Sequence, residues 1–326
     1  MVDAGSHPHA VRHQACDDIP ETPMLPMKAA VSGERISLSS RSAGQLNLYA
    51  AGPERDSGGP DRAPMLLVHS VNAAGSAYEV APLYEHYRRS RAVYALELPG
   101  FGFSERSDRP YSPRLMTDAV LAATGEIARR HSGRPFDALA LSLASEFLAR
   151  AASERPAAYR SIALISPTGL DKRAPYRGAE GTNRGMPLLY KVFRFPLWSG
   201  GFFRALTSRA SIRYFLRKTF GSKQIDEGLA DYAYLTSHQP GARYAPYRFV
   251  SGYLFSLDIT TVYEALRMPV WVAHGVRGGF TDYSYLKVLA NRPNWTIDVF
   301  QTGALPHFEV LADVVRRYDS FLADGG

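Results

Sequence analysis

From Glu34 onward, short apolar runs alternate with amphipathic stretches. Arg35-Ile36-Ser37-Leu38-Ser39 and Gln45-Leu46-Asn47-Leu48-Tyr49 alternate apolar with polar residues. That period of two predicts half-exposed strands, and the polar link Ser40-Arg41-Ser42-Ala43-Gly44 predicts a hairpin between them. Residues 51–64, rich in Gly, Pro and charge, read as a loop. Continuous apolar runs follow at 65–68, 92–96, 138–141, 161–165, 270–273 and 295–300. Runs without alternation fit strands buried on both faces, as in a parallel sheet. Helical stretches separate most of them. One opens on Ser112-Pro113, serine as N-cap and proline in the first turn, and stops before Gly133. Another follows Ser142, and a last one covers Phe308 to Leu322. This order predicts a doubly wound, mostly parallel α/β sheet. Right-handed crossovers then gather the loops after the strands along one edge, where sites form.

Between Thr168 and Met268 the alternation breaks. Pro187-Leu188-Leu189-Tyr190, Phe202-Phe203 and Tyr214-Phe215-Leu216 stand there at helical spacing, with few strand signals. The organisation expected is a disordered leader over 1–27, a core over 28–168 and 266–326, and a helical cap over 169–265. Most cap aromatics should form the cap's own core, and some should face the cleft below.

Leu139-Ala140-Leu141-Ser142-Leu143-Ala144 ends an apolar strand and opens a helix. A serine on such a bend stands exposed above the sheet edge, beside a helix N-terminus. The bend crowds the positions two before and two after, so small residues are needed; the usual form is G-x-S-x-G, and here alanines fill both places. A plain N-cap serine is the alternative reading. Val68-His69-Ser70-Val71-Asn72 follows the first buried strand, and Glu97-Leu98-Pro99-Gly100-Phe101-Gly102-Phe103-Ser104 follows the second. In these stretches the chain resembles the α/β-hydrolase family, whose common form after the second strand is D-x-P-G-x-G-x-S. The resemblance runs from about Met65 to the C-terminus, with the cap as its variable part.

The resemblance implies a serine hydrolase of esterase-like activity with no cofactor. Ser142 would be the nucleophile, and the backbone N–H groups of Val71 and Leu143 would form the oxyanion hole. Where the family has His-Gly this chain has His69-Ser70; Ser70 or Asn72 could instead turn a side chain into the site, and His69 itself reads as a buried histidine bonded to nearby backbone. In the family order serine, acid, histidine, the histidine after the last strand is His307. The family acid follows the next-to-last strand in a pattern like H-G-x-x-D. Here His274-Gly275-Val276-Arg277-Gly278 puts glycine at that place, with Gly279 beside it. Asp282 is the next carboxylate and the expected acid; Asp171 and Asp258 are alternatives, and a dyad or an impaired site is a third. A non-catalytic, binding member of the fold stays open, as do acyl transfer and cleavage of a C–C bond beside a carbonyl. The aromatic cap suggests a small, mostly apolar, ester-like substrate.

Composition narrows these readings. The 326 residues, 45% hydrophobic, suit one core plus an insertion. The lone Cys16 excludes an internal disulfide and a cysteine zinc site, compatible with a cytoplasmic protein. The leader has no apolar run like that of a secretory signal. Its His7, His9 and His13 read as solvated tail residues. No run of about 18 apolar residues predicts a membrane span. The formal charge is +7, with basic residues scattered apart from richer stretches at 88–91 and 204–218. No nucleic-acid motif accompanies them, although the stretch 193–218 leaves open a membrane-surface protein. Gly100-Phe101-Gly102 lacks the third glycine of a dinucleotide fingerprint, and H-E-x-x-H does not occur. The oligomeric state is not legible.

Overall fold

The computed structural model describes residues 26–53 and 62–324; Cys16 and the three leader histidines lie outside them. Strands β1 (Glu34–Ser40) and β2 (Gly44–Ala51) form the expected hairpin, with Ser40 opposite Gly44. The apolar runs become β3 (Met65–Val68), β4 (Val93–Glu97), β5 (Phe136–Leu141), β6 (Tyr159–Ile165), β7 (Val270–Gly275) and β8 (Trp295–Phe300); β8, expected to be buried on both faces, is instead an edge strand with only Trp295 and Phe300 buried. The described strands form one sheet in the order β1-β2-β4-β3-β5-β6-β7-β8. From β4 to β8 every pair is parallel, and β2 joins β4 antiparallel.

Helices α1 (Ala81–Tyr87), α2 (Pro113–Arg130) and α3 (Ala144–Glu154) separate the first strands. Between β6 and β7, in the segment read as a cap, lie α4 (Pro187–Arg194), α5 (Pro196–Leu206), α6 (Arg209–Phe220), α7 (Glu227–Ser237) and α8 (Tyr244–Val250). Then follow α9 (Ile259–Ala265), α10 (Leu286–Leu289), α11 (Pro306–Glu309) and α12 (Leu311–Asp324). Helix α2 starts where the sequence places it: Ser112 Oγ accepts the Leu115 N–H at 3.2 Å, and Pro113 opens the first turn.

Alternate strand residues feed two apolar cores. Leu66, Val68, Ala138 and Ala140 pack with α2, α3 and α9 on one face, whereas Met65, Leu67, Leu139 and Leu141 pack with α1 and α12 on the other. Each fully buried Leu or Val contributes about 1.5–3 kcal/mol, which explains why these strands tolerate no polar alternation. Helix α9 falls inside the segment read as cap, yet Ile259, Val262 and Tyr263 pack into the core cluster. Among the described residues, no helix is long and apolar enough to cross a membrane.

Candidate active site

At the C-terminal end of β5 the chain turns through Ser142, whose φ of +50° lies in the left-handed region that side chains rarely enter. The Ser142 N–H donates to Ile165 O at 2.8 Å, which pins the bend to β6. Ala140 and Ala144, two residues either side, are fully buried. Strain held by surrounding packing is a recurring mark of functional positions, and an N-cap would need no such backbone. Here Ser142 caps nothing: the residue before α3 is Leu143, and α3 has no side-chain cap.

Beside Ser142, two backbone donors are open. Among the described residues, neither the Val71 nor the Leu143 N–H donates to any acceptor. Val71 belongs to a loop held rigidly from below. Glu79 Oε2 accepts the Ser70 N–H at 2.8 Å and Oε1 accepts Asn72 Nδ2–H at 2.6 Å. Asn72 also donates to Ser70 Oγ, and its Oδ1 accepts the Ala74 N–H. Ser70 and Asn72 therefore brace the loop. Burial pushes the Glu79 carboxyl up to about 7, against the hydrogen bonds that favour its ionised form. His69 is structural too: its Nδ1–H donates to Ser70 O at 2.6 Å and its Nε2 accepts the Leu98 N–H at 3.0 Å. Glu97, in the family's aspartate position, accepts Phe103 N–H at 2.6 Å and holds the glycine turn after β4.

His307 lies in α11, fully buried. Its loop reaches the Ser142 bend through Ser166, a second strand-end serine with φ +50°, whose Oγ donates to Ala304 O at 2.7 Å. The imidazole and the serine thus stand at the same edge of the sheet. Their contact is not closed: among the described residues no hydrogen bond joins Ser142 to His307. Instead His307 Nε2 lies 2.8 Å from Glu79 O. A carbonyl only accepts, so Nε2 carries the proton and the lone pair sits on Nδ1, which is buried without a partner. Burial lowers the His307 pKa to about 4, only partly offset by that bond.

None of the three candidate aspartates bonds to His307. Asp282 is exposed, where Ser284 Oγ donates to it at 2.6 Å and the Lys172 N–H at 3.2 Å. Asp171 is held by Arg173 and Tyr176; partial burial raises its pKa, and these partners bring it down to about 2. Asp258 forms a buried bidentate pair with Arg150 at 2.6 and 3.1 Å. The expected pairing of Asp282 with His307 is therefore not found. The reason lies in the cap. The C-terminal turn of α6 sits on the loop after β7, where Lys218 O accepts the Gly279 N–H at 3.0 Å, while Thr219 O accepts the Ala304 N–H at 2.8 Å. Gly278, with φ +95°, touches that turn closely, so the loop is clamped rather than pliable.

Three contributors escaped the sequence reading. Glu79 had no local signal. Ser166 had one, a serine closing a buried strand as Ser142 does. Glu146, one turn into α3, is buried with a raised pKa caused by desolvation; it accepts Thr168 Oγ1–H at 2.5 Å and the Ser256 N–H at 2.9 Å. It ties the segment around Ser256 to α3.

Comparison with known proteins agrees with this architecture. Among solved structures, a bacterial membrane phospholipase A superposes with TM-score 0.65 at 16% identity, over 89% of this chain and 86% of that one. Carboxylesterase CesB from Bacillus subtilis gives 0.63 at 15%, over 90% and 93%. Naproxen esterase from Bacillus subtilis gives 0.63 at 18%, over 90% and 92%. No curated protein matches this chain at a significant level. A family model described as the alpha/beta hydrolase family matches residues 65–318, and the chain belongs to that family.

Proposed function

We propose that this protein is a serine hydrolase acting on a small, mostly apolar ester or related carbonyl compound through an acyl-enzyme on Ser142. The observation that carries the reading is the left-handed Ser142 at the end of β5, flanked by the open N–H groups of Val71 and Leu143. Ser142 Oγ attacks the carbonyl carbon, and the two N–H groups hold the oxygen that becomes negative. His307 takes the serine proton at Nδ1 and returns it to the leaving alkoxide as the C–O bond breaks. Water then adds to the acyl carbon, His307 takes its proton, and Ser142 leaves with that proton. The Glu79 carbonyl takes the orienting part given elsewhere to a carboxylate: it fixes the tautomer and leaves Asp282 outside the machinery. Catalytic hydrogen bonds are commonly long before substrate enters, so the Ser142–His307 contact closes during turnover. The esterase-like neighbours support the substrate class.

A second reading, a binding protein without turnover, draws on the sealed imidazole and its lack of a carboxylate partner. A fluorophosphonate probe separates the two. Stoichiometric labelling that Ser142→Ala abolishes, with Asp282→Asn still labelling, supports the hydrolase. Folded protein that never labels overturns it.

A further inference from the structure

The chain carries 38 Lys and Arg against 31 Asp and Glu, and eight of those basic residues fall between Met186 and Ile225, where no acidic residue occurs. Outside that stretch the two signs balance to within one charge, so the basic excess sits on α4–α6 and the turn that follows. Three of the eight are paired to other parts of the molecule: Arg194 to Asp108, Arg209 to Asp231 and Arg213 to Glu227. Lys191, Arg204, Arg217, Lys218 and Lys223 have no ion pair among the described residues, and all five are exposed.

Exposed apolar side chains stand on α4 and α5 among these cations. Leu197 is 84% exposed, Leu188 79% and Val192 51%. The Phe195 and Trp198 rings meet at a tilt, 4.4 Å between centres, and Trp198 Nε1–H donates to Val192 O at 2.9 Å. That bond fixes the indole at the α4–α5 corner and ties the two helices together. Scattered single apolar residues need no explanation, but this many exposed on two short, joined helices do.

We propose that the α4–α6 face of the cap docks onto the surface of an anionic lipid bilayer. Leucine, phenylalanine and tryptophan on one side with lysine and arginine around them is the composition that settles at the headgroup boundary. Anionic lipid supplies the opposite charge, with each surface-near Lys or Arg changing the partition about fivefold. A second copy of the chain fits poorly, because a two-fold contact would set five unpaired cations against five.

The test is co-sedimentation of the full chain with vesicles of phosphatidylcholine alone, or with about one-third phosphatidylglycerol. The expected result is partition to the anionic vesicles only, weakened by salt. The double variants Leu188→Ser/Leu197→Ser and Lys191→Glu/Arg204→Glu should each lower it more than tenfold, and all four positions are exposed, so the fold survives. No partition to anionic vesicles overturns the proposal. So does partition lost with the charge variants but kept with the serine variants, which would mark a plain polyanion site on an acidic partner. A dimer in sedimentation velocity that Leu188→Ser/Leu197→Ser breaks, with no vesicle binding, overturns it in favour of self-association.

Discussion

Replacing Gly278 with aspartate would restore the family's acid position on paper, and the structure says it will fail. A β-carbon on Gly278 would overlap the Lys218 carbonyl oxygen and lie 3.2 Å from both Gly221 N and Thr219 O. All three are backbone atoms that no rotamer change can move. Holding a non-glycine residue at φ +95° costs ~1–3 kcal/mol, and forcing an extra group into a packed contact costs ~1–3 kcal/mol more. Gly278→Asp should therefore lose about 2–6 kcal/mol. Neighbouring Gly279 serves as the control: nothing lies within 4 Å of its would-be β-carbon. Gly279→Ala should stay within about 1 kcal/mol of the parent, since the unfolded chain loses freedom too. Urea unfolding of the three proteins reads the difference, and fluorophosphonate labelling rates report on the base. A Gly278→Asp protein as stable as the parent, labelling faster, would refute the clamp and show that a carboxylate there reaches His307.

Arg150→Met should destabilise by about 3–5 kcal/mol, because Asp258 is left charged and buried; the double variant Arg150→Met/Asp258→Leu should recover most of that in thermal unfolding, and no recovery would mean the pair does more than neutralise itself. The labelling rate should also have an unusual acid limb. In the proposed mechanism His307 accepts a proton only when neutral, and burial lowers its pKa to about 4 from 6.5. The rate should stay level as pH falls through 6.5 and drop only near 4; a midpoint at 6.5 would place the working imidazole in water.

Most of the fold was legible because the buried strands are short apolar runs closed by turn residues, and because Ser112-Pro113 and the Ser142 bend carry local signals. His307 followed from chain order. The acid did not, since Asp171, Asp258 and Asp282 look alike along the chain. Arg150 lies far along the chain from Asp258, and Arg173 and Ser284, two residues from their aspartates, carry no signal of where His307 stands. The two glycines after β7 read as slack in the sequence. The α6 turn that makes one of them indispensable comes from the middle of the cap, too far along the chain for any periodicity to couple them. Glu79 was illegible for the same reason: Ala77-Tyr78-Glu79-Val80 is unremarkable until Ser70, Asn72 and His307 surround it.

The seam where α6 meets the loops after β7 and β8 means that this cap is not an exchangeable cassette. Its main-chain oxygens at Lys218 and Thr219 are structural parts of the histidine's own scaffold. Grafting a relative's lid onto this core would orphan the amides of Gly279 and Ala304 and remove the Phe220 ring that packs on Phe308. Chimeras designed to alter substrate preference should therefore keep residues 217–221 and cut on either side of them.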